Sequence, residues 1–328
     1  MDQAHQEELE LKAFTTESVD PRYSDLDRMS TSEIVGAMNE AEMEVPLAVR
    51  RALPQISTAI DAISEGMESG GRLFYVGAGT PGRLGVLDAS ECPPTFSIDP
   101  DRVVGIIAGG PDALTTAVEG AEDDRQAGYE AVALRGLGPH DSVVGVTASG
   151  RTPYVLGAVQ AARDAGAVSV GISSNAGAVL SGLVDHPIEV VVGPEIITGS
   201  TRLKAGSAQK QVLNMISTVC MVRLGKTYGN LMVDVSATNR KLEARARNLV
   251  MHITGCDERS AADALRASSG KVKVAVVCLV LDVDPQQARS LLARAGGSLR
   301  SALEAVPAVH SRGPEERSEE GRTAPWTC

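Results

Sequence analysis

Apolar residues recur at helical spacing from Pro46 onward, with Val49, Leu53, Ile56, Ile60 and Ile63 falling on one face. Pro54 interrupts this run and is expected to kink or restart the helix, and Gly70-Gly71 ends it. Upstream, Ser30-Thr-Ser-Glu33 fits a capping box that launches a shorter helix through about Glu42. Residues 1 to about 30 read as a mostly polar arm. Beyond Gly71 the period changes. Short β-branched runs at Leu73–Val76, Val103–Ile107, Ser142–Val146, Val168–Ile172 and Ile188–Val192 predict strands, and helical patterns at Ala117–Glu130 and Thr152–Ala165 lie among them. Strands apolar throughout that alternate with helices predict an α/β fold, a parallel sheet covered on both faces.

After the last strand the pattern predicts a long helix from about Ser200 to Leu224, burying Leu203, Val212, Ile216, Val219 and Cys220. A different texture begins near Thr238. Amphipathic stretches at Asn239–Ile253, Asp257–Ala267, Val272–Leu281 and Pro285–Ala295 predict a small all-helical C-terminal domain. From Pro307 to Cys328 the sequence is rich in Gly, Pro, Ser, Glu and Arg and is expected to be a disordered tail. The expected division is an arm and helix over 1–45, an α/β domain over 46–236, a helical domain over 237–304 and a tail over 305–328.

The chain has 328 residues, ample for a sizeable core and one or two domains. A net charge of -11 and 3% aromatic residues argue against a nucleic-acid partner. No apolar run approaches the ~20 residues that span a bilayer, and the acidic first ten residues contain no signal-peptide core, so cytoplasm is expected with no membrane partner. The five cysteines are scattered, which suits reduced thiols better than a disulfide framework or a zinc site.

Two loops carry the candidate chemistry. Gly77-Ala-Gly79-Thr-Pro-Gly82 follows a predicted strand and matches the dinucleotide pattern G-x-G-x-x-G. No clear acid closes a second strand at the required distance, although Asp99 and Asp101 lie in the region, and no Gly-Lys-Ser/Thr follows as in a Walker A loop. Alone, this stretch also fits a tight turn without a ligand. Thr147-Ala-Ser149-Gly150-Arg151-Thr152 lies between a strand and a helix opened by Pro153, and reads as a second anion site or as a plain N-cap. Two such clusters on strand ends suit a phosphosugar better than a dinucleotide. The candidate contacts are Gly79, Thr80, Gly82 and Arg83 in the first loop and Ser149, Gly150, Arg151 and Thr152 in the second. Ser200 is either a third hydroxyl contact or the N-cap of the long helix. Taken singly, Glu91 reads as a carboxylate near a helix end, Glu122 as part of a solvated acidic face, and Cys92 as a packed thiol.

Together these stretches resemble the N-acetylmuramic acid 6-phosphate etherases of the sugar isomerase (SIS) domain proteins. The likeness rests on Gly77-Ala-Gly-Thr-Pro-Gly-Arg-Leu-Gly-Val-Leu-Asp-Ala-Ser-Glu-Cys-Pro-Pro-Thr95, Val118-Glu-Gly-Ala-Glu-Asp-Asp124, Ala148-Ser-Gly-Arg-Thr-Pro-Tyr154, Ile197-Thr-Gly-Ser-Thr-Arg-Leu-Lys-Ala-Gly206 and Tyr228-Gly-Asn-Leu-Met-Val-Asp-Val235. It extends from about Thr15 to Leu303. The resemblance implies an SIS-type parallel-sheet sandwich and a cytoplasmic homodimer that cleaves the D-lactyl ether of N-acetylmuramic acid 6-phosphate without a cofactor or metal. It places the family's two essential glutamates on Glu91 and Glu122. Pro81 stands where the family loop carries a serine, which removes a hydroxyl and a backbone donor. The implied reaction needs a base for the weakly acidic C2 proton and an acid for the departing lactate, roles that two carboxyls in different protonation states supply. A non-catalytic phosphosugar-sensing regulator is the alternative, and a nucleotide-dependent Rossmann enzyme a third reading.

Overall fold

The first helix begins where its capping box predicts. Ser30 Oγ accepts from the Glu33 N–H, and the Glu33 carboxylate accepts from the Ser30 N–H at 2.7 Å. This computed structural model describes residues 15–234 and 240–305. The first part of the expected arm, the expected domain boundary at 236/237 and the expected tail from 306 onward lie outside the described residues. Helix α1 (Thr31–Glu42) leads into α2 (Glu44–Glu68), which runs through Pro54 rather than restarting there. Pro54 is exposed, so the carbonyl that loses its partner four residues earlier has access to water. Leu53 is also exposed, contrary to the pattern reading, because Ala52 takes the place between Val49 and Ile56 on the buried stripe.

Five parallel strands form the sheet in the order β2-β1-β3-β4-β5: β1 (Leu73–Gly77), β2 (Val103–Ile107), β3 (Ser142–Val146), β4 (Val168–Ser173) and β5 (His186–Glu189). The crossovers carry α3 (Gly79–Phe96), α4 (Arg125–Ala133) and α5 (Pro153–Asp164), and α6 (Lys204–Arg223) follows the sheet. Alternate strand residues serve opposite faces. Leu73 and Tyr75 join α2, α3 and α6 in one core, while Phe74 and Val76 pack with α4 and α5 in another. The predicted α/β fold, a parallel sheet with helices on both faces, is therefore the one observed.

Several element ends differ from the pattern reading. Helix α4 starts at Arg125, not Ala117: Gly120 has φ +73°, and Asp124 caps the helix by accepting from the Ala127 N–H at 2.8 Å. Strand β5 ends at Glu189 and not Val192. Val190 N–H still donates to Ser173 O, but the Val192 carbonyl is taken by Lys204 Nζ at 2.8 Å. Val219 on α6 is partly exposed rather than buried.

A two-stranded hairpin, β6 (Thr227–Tyr228) and β7 (Leu231–Met232), precedes the C-terminal helices α7 (Arg240–Thr254), α8 (Glu258–Ala267), α9 (Val272–Leu281) and α10 (Pro285–Arg294). A further short helix, α11 (Leu299–Glu304), was not evident in the sequence pattern. These helices share an apolar core to which Tyr228, Leu231, Met232 and Val233 contribute. No helix among the described residues is long and apolar enough to cross a membrane.

Candidate active site

The strand order reverses between β1 and β3, and ligands of open α/β sheets bind outside the carboxyl ends of strands at such a switch point. The register sharpens this placement. Gly77 pairs with Val146, so the loop entering α3 and the loop entering α5 leave the sheet side by side. The two sequence clusters that suggested anion binding are thus neighbours.

The first loop is short, because α3 already begins at Gly79. Its N-cap, Ala78, has no side-chain acceptor for the first-turn amides, which leaves donors for an anion. Pro81 falls in that first turn, where an N–H has no intrahelical acceptor, so the helix tolerates it at the expense of one potential donor. Gly82 lies on the face of α3 that meets the sheet. A Cβ there would sit 2.6 Å from Gly77 O and 2.7 Å from Ile107 Cγ1, so the residue permits close helix–sheet packing. Thr80 faces α6, its Cγ2 being 3.5 Å from where a Cβ on Gly206 would lie.

The second loop is held by its own hydroxyls. The Thr147 and Thr152 hydroxyls share a hydrogen bond of 2.7 Å, and those of Thr147 and Ser149 share one of 3.2 Å. Thr147 Oγ1 also accepts from the Gly150 N–H, and Ser149 Oγ from the Arg151 N–H. Gly150 adopts φ +72° and packs so tightly that a Cβ would collide with Ala178 Cβ. Thr152 is the N-cap of α5 but makes no side-chain cap. Instead, the Tyr154 N–H in the first turn donates to the Glu122 carbonyl at 3.0 Å. That bond fastens the acidic loop to the second anion cluster.

A cavity of about 190 Å³ opens between the first loop and the acidic loop, and Gly79, Arg83, Glu119 and Glu122 line it. Arg83 is steered by donating Nε–H to Leu114 O at 3.1 Å. Glu122 is therefore beside the first loop through the cavity and beside the second through its backbone. Glu91 is not among the cavity's lining residues. It is exposed on α3, twelve residues beyond Gly79, which is about 18 Å along the helix axis. One chain thus brings Glu122, Gly79 and Arg83 together but leaves Glu91 near the other end of α3.

Ser200 does not cap α6. It sits in a preceding turn, accepting from the Leu203 N–H, and the helix begins at Lys204. The cap is Glu195, whose two carboxylate oxygens accept from the Lys204 and Ala205 N–H groups, each at 3.0 Å. Burial pushes the Glu195 carboxyl above its ordinary pKa, and the two amides offset part of that rise. Lys204 is itself buried and donates to Glu44 Oε2 at 3.1 Å. A second contribution that sequence reasoning missed is the Thr15–Glu17 segment. Asn175, just past β4, donates to Thr16 Oγ1 and to Ala148 O, each at 3.1 Å, and accepts from Thr15 Oγ1 at 2.9 Å. The chain's early residues are thus tied to the base of the second loop. Spacing gave no signal for a contact spanning some 160 residues.

Comparison with known proteins identifies the family. Residues 55–163 match the family model described as the glucokinase regulatory protein N-terminal SIS domain. The chain is 55% identical over 298 residues to an N-acetylmuramic acid 6-phosphate etherase of Streptomyces avermitilis, covering 91% of this chain and 96% of that protein. It is 57% identical over 293 residues to the enzyme of that name from Rubrobacter xylanophilus, covering 89% and 97% respectively. At this identity and nearly full-length coverage, on an SIS-type sheet with the matching loops at its switch point, the chain belongs to the N-acetylmuramic acid 6-phosphate etherase family.

Proposed function

We propose that this chain is a carbon–oxygen lyase that cleaves the D-lactyl ether of N-acetylmuramic acid 6-phosphate. The products are N-acetylglucosamine 6-phosphate and D-lactate, a step in recycling or using cell-wall amino sugars. The observation that carries the reading is Glu122, on one cavity with Gly79 and Arg83 and hydrogen-bonded through its backbone to the helix that follows Ser149–Thr152, in a chain of this family. Kinship with the etherases does not favour the non-catalytic sensor.

In this reading the first-turn amides of α3 and α5, with Arg83, Ser149, Arg151 and Thr152, hold the phosphate and the sugar hydroxyls. Once the ring opens, the ether at C3 lies β to the C1 aldehyde. Glu122 removes the C2 proton, and the electrons left behind expel lactate from C3 as Glu91 donates a proton to the departing oxygen. Water then adds to C3 of the unsaturated aldehyde, with the same pair moving the protons. No redox step is required.

The separation of Glu91 from the cavity supports a further part of the reading: a second copy of the chain brings its own Glu91 to this Glu122. The proposed working form is a homodimer in the cytoplasm, acting on a small phosphosugar with no nucleic-acid partner. The direct test is turnover of N-acetylmuramic acid 6-phosphate in heavy-oxygen water, followed by D-lactate assay and mass spectrometry. The expected result is lactate release with heavy oxygen at C3 of the amino sugar, and deuterium at C2 when the solvent is deuterated. Heavy oxygen in the lactate would instead show displacement at the lactyl carbon and sink the elimination route.

A further inference from the structure

A second cavity lies beyond the opposite end of α3. It has a volume of about 390 Å³ and is lined by Ser97, Lys226, Asp234, Lys271, Lys273 and Arg289, with apolar walls that include Val272 and Leu292. Ser97 is the C-cap of α3 and donates Oγ–H to the Asp234 carbonyl. Gly79, which lines the first cavity, opens the same helix. The eighteen residues of α3 therefore separate the two by about 27 Å along its axis.

The charges in this cavity are unbalanced. Lys226, Lys271, Lys273 and Arg289 face a lining that contains Asp234 as its sole carboxylate among the described residues. Asp234 Oδ2 already accepts from Lys273 Nζ at 2.7 Å and pairs with Lys226 Nζ at 3.2 Å. Lys273 makes its other contact with Gly297 O, again at 2.7 Å. Lys271 and Arg289 have no carboxylate partner among the described residues, although the whole chain carries a net charge of -11. A cleft lined mainly by one sign of charge focuses its field and draws in counter-ions, here anions.

The helix α9 adds an independent feature. Lys271 is its N-cap and offers no side-chain acceptor, and the first backbone bond runs from the Ala275 N–H to Lys271 O. The amides of Val272, Lys273 and Val274 consequently have no intrahelical acceptor, and all three residues line the cavity. The positive end of a ten-residue helix and a surplus of cations converge on one recess.

We propose that this cavity binds a phosphate group, free or carried by a small organic molecule. A phosphate dianion offers three terminal oxygens, enough for the Lys271 and Arg289 cations and the α9 amides at once, whereas a carboxylate leaves most of the positive charge unmatched. A volume near the lower end of the small-molecule range, with valine and leucine on its walls, leaves room for an organic portion of sugar size. Within one chain the site is separate from the proposed catalytic cradle, and it does not depend on the lyase reading.

The test is calorimetry on the full-length protein, with inorganic phosphate and glucose 6-phosphate as probes. Two variants separate the sites: the double variant Lys271→Ala, Arg289→Ala for this cavity, and Ser149→Ala for the cradle. Both altered side chains of the double variant are exposed, and Arg289→Gln alone serves if the pair lowers the melting temperature. The expected result is a binding event that the double variant weakens at least about ten-fold and Ser149→Ala leaves in place. Tighter binding of glucose 6-phosphate assigns the site to phosphate esters, and equal binding assigns it to free phosphate. Phosphate binding that is lost with Ser149→Ala and untouched by the double variant overturns the proposal. So does equally tight binding of acetate, which would show charge attraction without phosphate recognition.

Discussion

The hydroxyl of Ser149 is bound within its own loop, accepting from the Arg151 N–H and sharing a hydrogen bond with Thr147, so its position is fixed before any ligand arrives. Such an anchored group contributes binding with little ordering cost. Ser149→Ala and Arg151→Ala are therefore expected to weaken affinity for a phosphorylated sugar by about ten-fold each, with a much smaller effect on its unphosphorylated analogue. Equal losses for both ligands by calorimetry would show that the loop does not read the phosphate. Cys92 presents the opposite case, a residue beside Glu91 in sequence whose surroundings make it inert. Burial pushes its thiol up to about 12, and burial pushes the Cys220 thiol up to about 11, from an ordinary 9.0. The folded state thus favours the neutral thiols. Their contribution is fully present below the ordinary value and is lost as pH rises through about 11 to 12. Iodoacetamide at about pH 8 should leave Cys92 and Cys220 unmodified in the native protein and label both in urea, while the partly exposed Cys256 reacts in the native state. Rapid native labelling of Cys92, read by peptide mapping, would contradict the packed-thiol assignment. The packed thiol was legible in sequence from the lack of a neighbouring histidine. The Asn175–Thr16 tie was not, because neither residue belongs to a local pattern.

At the scale of elements, the sequence was most informative where a local interaction sets the boundary. The Ser30–Glu33 capping box and the apolar runs of β1, β2 and β3 needed only their neighbours to be recognised. It was least informative where distant groups decide. The start of α6 depends on the buried Glu195 carboxylate nine residues upstream, and the end of β5 on the Val192 carbonyl taken by Lys204. Glycines divide in the same way, and a pair of substitutions exposes the difference. Gly150→Ala imposes a side chain on φ +72° and drives it into Ala178, so a loss of about 1–3 kcal/mol is expected together with weaker phosphosugar binding. Gly36→Ala, inside α1 with nothing within 4 Å of the added Cβ, should instead stabilise by roughly 0.5–1 kcal/mol. Chemical denaturation of both variants checks the contrast. A neutral Gly150→Ala would mean that the second loop shifts freely and is not the rigid cradle its hydrogen bonds describe.

At the scale of the whole molecule, the two glutamates singled out from sequence lie at opposite ends of one helix. Glu122 meets the start of α3 through the cavity, whereas Glu91 is exposed on its C-terminal half. Motif matching could name both residues but could not show this separation, because position along a helix becomes distance only after the helix has a start. Glu91 lies about 18 Å along the axis from Gly79, which lines the cavity with Glu122, too far for its carboxylate to serve a proton transfer in that cavity within one chain. In the proposed homodimer, a two-fold axis would present each Glu91 to the other chain's cavity and make both sites equivalent. Glu91→Gln and Glu122→Gln should each lower lactate release by about 10²–10⁴-fold while retaining phosphosugar binding, because the amide keeps the shape but not the proton transfer. Co-expression of the two variants then discriminates the arrangements. In a mixed dimer one site carries both substitutions and the other carries neither, so random pairing should restore about a quarter of the wild-type activity. If each site is completed within one chain, every site in the mixture retains one substitution and activity stays at the level of the single variants. Lactate release from the co-expressed protein, set against each variant alone, therefore decides whether Glu91 acts across the interface.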